Sequence, residues 1–237
     1  MNIDKLAKQK FNIFLLVDTS KSMNGKRISQ VNQAISDILL YLKQLQVENS
    51  NVDFYISLLT FATEAKWYKK QKEKDVTTFD YENLKCYGQS NLHLAYHELN
   101  EVLTKQSNGG IMPDFGGVAP IILLLTDGHP SKGNLKKELI NLREKKWFNV
   151  ALKYGIAIEL NDQKTMSVLK DFVSGNGEVI QIYNSDLLSK IIKIIVLTAS
   201  KVKSSSNSVH NSKHQNTTMQ IQQEIQDALN DVEDWEW

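Results

Sequence analysis

What the chain is short of narrows its class first. Cys86 is its only cysteine, which excludes an internal disulfide and suits a reducing compartment. Lys and Arg total 28 against 27 Asp and Glu, a net charge of +1, so no global field draws the chain to nucleic acid or a membrane surface. No stretch approaches the ~20 apolar residues of a membrane span. The greasiest run, residues 191–197, has Lys190 beside it and Lys193 within it. Residues 1–10 have the basic character of a leader, yet the apolar run after them ends in Asp18 without a small-residue cleavage site. A cytoplasmic protein is the expectation. There is no internal repeat. The glycine-rich loop 107–117 lacks the Lys-Ser/Thr ending of a phosphate cradle. No Ser-His-Asp or Cys-His arrangement stands out for nucleophilic catalysis.

What is present is organised around residues 11–22, FNIFLLVDTSKS. The apolar part reads as a strand buried on both faces, as in a parallel sheet. It stops at Asp18, and Asp18, Ser20 and Ser22 follow at i, i+2 and i+4. A carboxylate and two hydroxyls thus leave the carboxyl end of a strand, the edge where open α/β sheets bind ligands. Hard oxygen donors of this kind suit Mg²⁺ better than a softer metal.

With 237 residues and 41% hydrophobic content, the chain has material for one core of ~200 residues and an appendage. Ile28, Val31, Ile35, Ile38, Leu42 and Leu45 recur at helical spacing after the first strand. Residues 52–61 and 65–68 read as strands, the second short and at the sheet edge. Lys69 to Lys74 is a charged, solvated run. The segment Gly88-Gln-Ser90-Asn-Leu92 opens a helix whose stripe is Leu92, Ala95, Tyr96, Leu99, Val102 and Leu103. His93 and His97 sit beside that stripe at i, i+4, without the third ligand or general-base Glu of a zinc motif. A second strongly apolar strand ends in Thr126-Asp127-Gly128. Helices over 134–146, 162–173 and 186–199 then alternate with strands within 148–158 and over 179–182. This alternation predicts a doubly wound, mainly parallel six-stranded sheet with helices on both faces, order 3-2-1-4-5-6 and a short antiparallel edge strand. In that order the strands ending in Asp18 and Asp127 are neighbours.

Three segments, D-x-S-x-S at 18–22, G-x-S-x-L at 88–92 and T-D-G at 126–128, resemble in their order the von Willebrand factor A family and its metal-ion-dependent adhesion site. The resemblance spans about residues 11–200. It implies a single Mg²⁺, or Mn²⁺, held directly by Ser20 and Ser22, with Ser90 in a threonine's place and Asp18 and Asp127 acting mostly through bound water. Serine at position 90 departs from the family pattern. It keeps the oxygen and loses the methyl that restricts the rotamer. ISLLTFATEAKW, the Gly/Pro loop before LLLTDGHP and the ending LTASKVKSSS are similar to bacterial tellurite-resistance (TerY) type proteins. That similarity implies a cytoplasmic, non-enzymatic partner-binding domain, linked to a protein kinase and a PP2C-type phosphatase in stress or phage-defence systems. The partner would offer an Asp or Glu to the metal.

Two alternatives of other classes stand beside this reading. A haloacid-dehalogenase-like, Mg²⁺-dependent phosphotransferase also places Asp after strand 1, as D-x-D-x-T; Ser20 stands here where its general acid/base would be. A nucleic-acid-complex adaptor would use the lysines of 69–74 and 132–146, but lacks interleaved aromatics. For the organisation of the chain we expect a domain over 1–200, a flexible linker over 201–218 and an acidic amphipathic segment over 219–237. In that last segment Ile221, Ile225, Ala228, Val232 and Trp235 form a helical stripe, and Ile221, Ile225, Trp235 and Trp237 are the expected contacts to a partner's groove.

Overall fold

Long apolar runs flanked by polar turns set the sheet. The computed structural model describes residues 8–48, 51–128, 133–160, 162–175, 177–204 and 210–233. The strands are β1 (Gln9–Asp18), β2 (Val52–Phe61), β3 (Ala65–Trp67), β4 (Lys74–Asp75), β5 (Ile121–Thr126), β6 (Leu152–Ile158) and β7 (Gly177–Ile182). The order is β3-β2-β1-β5-β6-β7, with β4 also paired to β2. β1, β2, β5, β6 and β7 are parallel, while β3 and β4 run antiparallel to β2. The path is the expected one. The sheet has seven strands rather than six, because the end of the lysine run, expected as a solvated loop, pairs at Lys74 and Asp75 with Ile56 and Tyr55.

The central strands β1 and β5 are almost wholly buried, as parallel strands covered on both faces must be. Alternate side chains feed two apolar layers. Ile13, Leu15 and Val17, with Ile121, Leu123 and Leu125, join the layer under α1 (Lys26–Glu48) and α6 (Ser185–Ser204). Phe14 and Leu16, with Ile122 and Leu124, join the layer under α2 (Leu92–Val102), α3 (Leu135–Arg143), α4 (Lys146–Val150) and α5 (Gln163–Val173). The one helix expected over 134–146 is two, broken near Glu144 and Lys145, and Phe148 lies in the second of them, ahead of β6.

The C-terminal region corrects the expectation for the tail. Helix α6 continues to Ser204 and α7 occupies His210–Glu233, so much of the span expected as a flexible linker is helical. Residues 201–237 contain no Gly or Pro, and nothing in that composition opposes a helix once it has a surface to pack on. That surface is the chain's own. Ile221, Ile225 and Ala228 are buried, Ile221 and Ile225 within the core layer beneath α1 and α6, and Thr198 Oγ1 donates to Glu224 Oε2 at 3.0 Å. Ile221 and Ile225 are therefore internal packing residues here, not free contacts for another protein. Trp235 and Trp237 lie outside the described residues, as do His129 and Pro130.

Candidate metal site

The site forms because β1 and β5 end in step. Val17 pairs with Leu125, so Asp18 lies beside Thr126 and Asp127 follows one residue on. Strand alternation sends Asp18 and Thr126 toward the α2 side and Asp127 toward the α1 side. Ser90 arrives from the loop before α2, and Ser20 and Ser22 lie in the turn between β1 and α1. That turn is fixed by backbone bonds: Thr19 N–H donates to the Phe61 carbonyl at 2.8 Å, Tyr87 N–H to the Thr19 carbonyl at 2.8 Å and Lys21 N–H to the Gly88 carbonyl at 3.2 Å. Gly88 has φ +63°, and a Cβ there would collide with the Thr63 hydroxyl, so only glycine fits this close approach.

All five residues expected at the site come together. Asp18 is wholly buried. Its Oδ1 accepts from Ser20 N–H at 2.8 Å, and its Oδ2 accepts from Ser90 Oγ at 2.8 Å and Thr126 Oγ1 at 2.7 Å. Ser22 Oγ donates to Asp127 Oδ1 at 2.8 Å. Ser20 Oγ and Ser22 Oγ are 3.1 Å apart. The single Ser22 proton is already directed at Asp127, so the hydrogen in that contact comes from Ser20. Burial pushes the Asp18 carboxyl above its ordinary value, while Ser20, Thr126 and Ser90 pull the other way.

This geometry has a chemical consequence. Each of the three serine hydroxyls has its proton directed at a neighbour within the cluster, which leaves oxygen lone pairs to face a cation. Ser20 and Ser90 are buried while Ser22 is exposed, so the cluster opens to solvent on one side. Two carboxylates and three hydroxyls are a hard donor set of the kind Mg²⁺ accepts, and the residues fit the group. Among the described residues no cluster of three or more His, Cys, Asp or Glu side chains forms a competing site. His97 Nδ1 is 3.6 Å from Glu138 Oε2.

Sequence reasoning missed four neighbours of the cluster. Thr126 lay inside the T-D-G motif but carried no role; its hydroxyl holds Asp18. Arg27, on the first turn of α1, places Nη1 2.5 Å from Asp127 Oδ2 and 3.2 Å from the Ser22 carbonyl. Its Nη2 donates to the Glu159 carbonyl at 3.5 Å, and its Nε is 3.6 Å from Glu159 Oε2. Glu159, just past β6, also pairs with Lys26 Nζ at 2.8 Å and accepts from Gln30 Nε2 at 3.2 Å. The Lys26 hydrogen bond, more than any other contact, holds its carboxyl below the ordinary value. Cys86 feels Asp18 and Asp127. Burial first, then those two carboxylates, push its thiol up to about 11, so in the metal-free protein it is a neutral thiol at neutral pH.

Comparison with known proteins adds a frame. A family model, von Willebrand factor type A domain, matches residues 12–194. Inter-alpha-trypsin inhibitor heavy chain H1 of Sus scrofa is 27% identical over 137 residues, 56% of this chain, and the match spans 14% of that protein's length. A von Willebrand factor type A structure from Catenulispora acidiphila superposes with TM-score 0.59 at 12% identity, covering 81% of this chain and 43% of that one. Proximal thread matrix protein 1 from the mussel byssus, solved with a zinc-occupied MIDAS motif, superposes with TM-score 0.54 at 19% identity over 81% of this chain and 48% of that one.

Proposed function

Starting from the chain's membership of the von Willebrand factor type A domain family, we propose that it is a metal-dependent protein-interaction module without catalytic activity of its own. Ser20, Ser22 and Ser90 would hold the ion, Asp18 and Asp127 would orient those hydroxyls and balance its charge, and a partner's Asp or Glu would complete the coordination. The observation that carries this reading is the convergence of three hydroxyls and two carboxylates from separate segments at one sheet edge, with Ser22 donating to Asp127 and Ser90 to Asp18. Neutral oxygen donors leave much of the ion's charge uncompensated, which favours an incoming carboxylate.

Mg²⁺ is the ion we assign, with Mn²⁺ able to replace it. Neighbouring ligands of an octahedral ion with bonds of 2.0–2.1 Å lie about 3 Å apart, close to the 3.1 Å between Ser20 Oγ and Ser22 Oγ. Ca²⁺ should bind less well, because it takes six to eight oxygen ligands, more than these loops supply. The bound ion supplies a Lewis-acidic point for the partner's carboxylate. This chain's residues would align the hydroxyls, with Asp18 held by Ser20, Ser90 and Thr126 and Asp127 on the α1 side. Phosphotransfer is disfavoured because Ser20 stands where the second carboxylate would be needed.

The link to a protein kinase and a PP2C-type phosphatase in stress or phage defence, and a cytoplasmic setting, rest on the TerY-type sequence resemblance alone. The relatives found do not carry them. Among the described residues no helix is long and apolar enough to cross a membrane. A direct test uses the full chain as bait, with Mg²⁺ or with EDTA, beside Asp18→Ala. At least one partner should be captured with Mg²⁺ and lost in both other arms. Capture of every partner in EDTA would overturn the reading.

A further inference from the structure

Arg27 occupies a position that a metal-binding function does not require. Its Nη1 lies 2.5 Å from Asp127 Oδ2, and Asp127 has a fully buried side chain whose other oxygen accepts from Ser22. Both carboxylate oxygens of Asp127 are thus engaged, one by the Arg27 guanidinium. Arg27 is about one-third exposed, so it is held at the rim and not locked in the core. A second acid lies within reach, Glu159, whose Oε2 is 3.6 Å from Arg27 Nε. Glu159 follows the end of β6 with φ +47°, a left-handed conformation that side-chain-bearing residues adopt at some cost. Gln30, buried on α1, donates to Glu159 Oε1 and, at 3.4 Å, to the Tyr183 carbonyl. The Glu159 carboxylate is therefore fixed in place beside Arg27 on the outer side of the site.

We propose that Arg27 is an internal counter-cation that competes with the bound metal for Asp127, and that Glu159 is the acid that receives Arg27 when the metal is present. The proposal rests on the metal-site reading above and concerns how that site is regulated. In the metal-free protein Arg27 balances Asp127, which would otherwise share a buried edge with Asp18. A divalent ion near Ser22 and an arginine two hydrogen-bonded groups away repel each other. At short range, even in the dielectric of water, that repulsion is worth about a tenfold loss of affinity. Swinging Arg27 toward Glu159 relieves it. Arg27 thereby keeps metal binding modest, and Glu159 sets how easily that restraint is released. Both are positioning residues, since neither is placed to ligate the ion.

The proposal makes predictions of opposite sign, which structural damage would not. Mg²⁺ affinity is measured by calorimetry on the full chain for wild type, Arg27→Gln, Arg27→Lys, Glu159→Gln and the Arg27→Gln/Glu159→Gln double variant. Arg27→Gln should bind roughly tenfold more tightly and show a larger Mg²⁺-induced rise in Tm from a lower starting value in EDTA. Arg27→Lys, which keeps the charge, should resemble wild type. Glu159→Gln should bind several-fold more weakly, and that loss should shrink in the double variant, because part of the acid's effect runs through the arginine and the remainder through its own charge and its pair with Lys26. Equal or weaker binding by Arg27→Gln, with wild type binding normally, overturns the counter-cation and makes Arg27 a simple support for Asp127. A Glu159→Gln loss as large in the Arg27→Gln background as in wild type overturns the role of Glu159. No saturable Mg²⁺ binding by wild type would instead overturn the metal reading on which the proposal stands.

Discussion

At the carboxyl edge of the sheet, Asp18 is wholly buried and receives hydrogen bonds from Ser20, Ser90 and Thr126, donors drawn from three separate segments. At the opposite edge, Lys153 near the start of β6 is as deeply buried, at 1% exposure. Its ammonium donates to the Phe148 carbonyl at 3.1 Å and sits 4.8 Å from the centroid of the Phe148 ring. Burial acts against the charged form in both places. It raises the Asp18 carboxyl and, followed by repulsion from Arg143, lowers the Lys153 ammonium to about 8. The difference lies in what surrounds the charge. The acid is met by converging polar groups whose lone pairs remain available, so its cost is attached to a site. The lysine is capped by a carbonyl and an aromatic face, with no other hydrogen-bond acceptor among the described residues, so its cost is structural.

Changes at either edge break or sharpen this contrast. The largest expected effect asks whether the edges depend on the helical layer behind them. Removing residues 205–237 withdraws Ile221 and Ile225 from the core and should cost roughly 3–5 kcal/mol in urea unfolding. Mg²⁺ affinity should be unchanged, and a weaker site would tie α7 to the carboxyl edge. Next is Asp18→Ala, which leaves three donors without their acceptor. It should lower Mg²⁺ affinity roughly 100-fold while circular dichroism keeps its helical signal; a collapsed spectrum would make the cluster structural, like its counterpart.

Lys153→Met tests the other edge and should stabilise the protein by about 1–3 kcal/mol at pH 7. The sign follows from the ammonium. Its folded pKa is near 8 and its ordinary value is 10.5, so between those values the unfolded chain holds more protons and stability rises with pH. Below pH 8 both states are charged and the full penalty applies. In Lys153→Met that rise should disappear, and a rise that persists would assign it to another group. The smallest effect is Ser90→Ala, which removes one of the donors to Asp18. About 1 kcal/mol of stability should be lost in denaturant titration, together with a several-fold loss of Mg²⁺ affinity.

Much of the carboxyl edge was legible in the amino-acid order, because it is built from strand ends. Two apolar runs that each stop at an Asp, separated by two crossover segments, lead to neighbouring parallel strands and hence to Asp18 beside Asp127. The D-x-S-x-S and T-D-G spacings supply the rest. Arg27 and Glu159 were not legible. Their contacts join residues 100 and 132 positions apart in sequence, and a basic residue at the start of a helix carries no signal of which acid it will meet. The tail shows a different limit. The stripe Ile221, Ile225, Ala228 predicted a helix seeking a groove, and that helix is present. An amphipathic stripe has the same spacing whether its groove belongs to another protein or to its own chain, so the destination had to come from the fold. Lys153 went unremarked for a similar reason: a lysine in an apolar strand reads as an edge or surface position until the helices that cover it are placed.

The central claim is that these hydroxyls hold a divalent cation. It is tested most directly by calorimetric titration of Mg²⁺ into wild type and into a Ser20→Ala/Ser22→Ala double variant, each first stripped with EDTA. The account predicts one saturable site in wild type and none in the double variant, with both proteins unfolding cooperatively. Equal Mg²⁺ binding by the two proteins would contradict it.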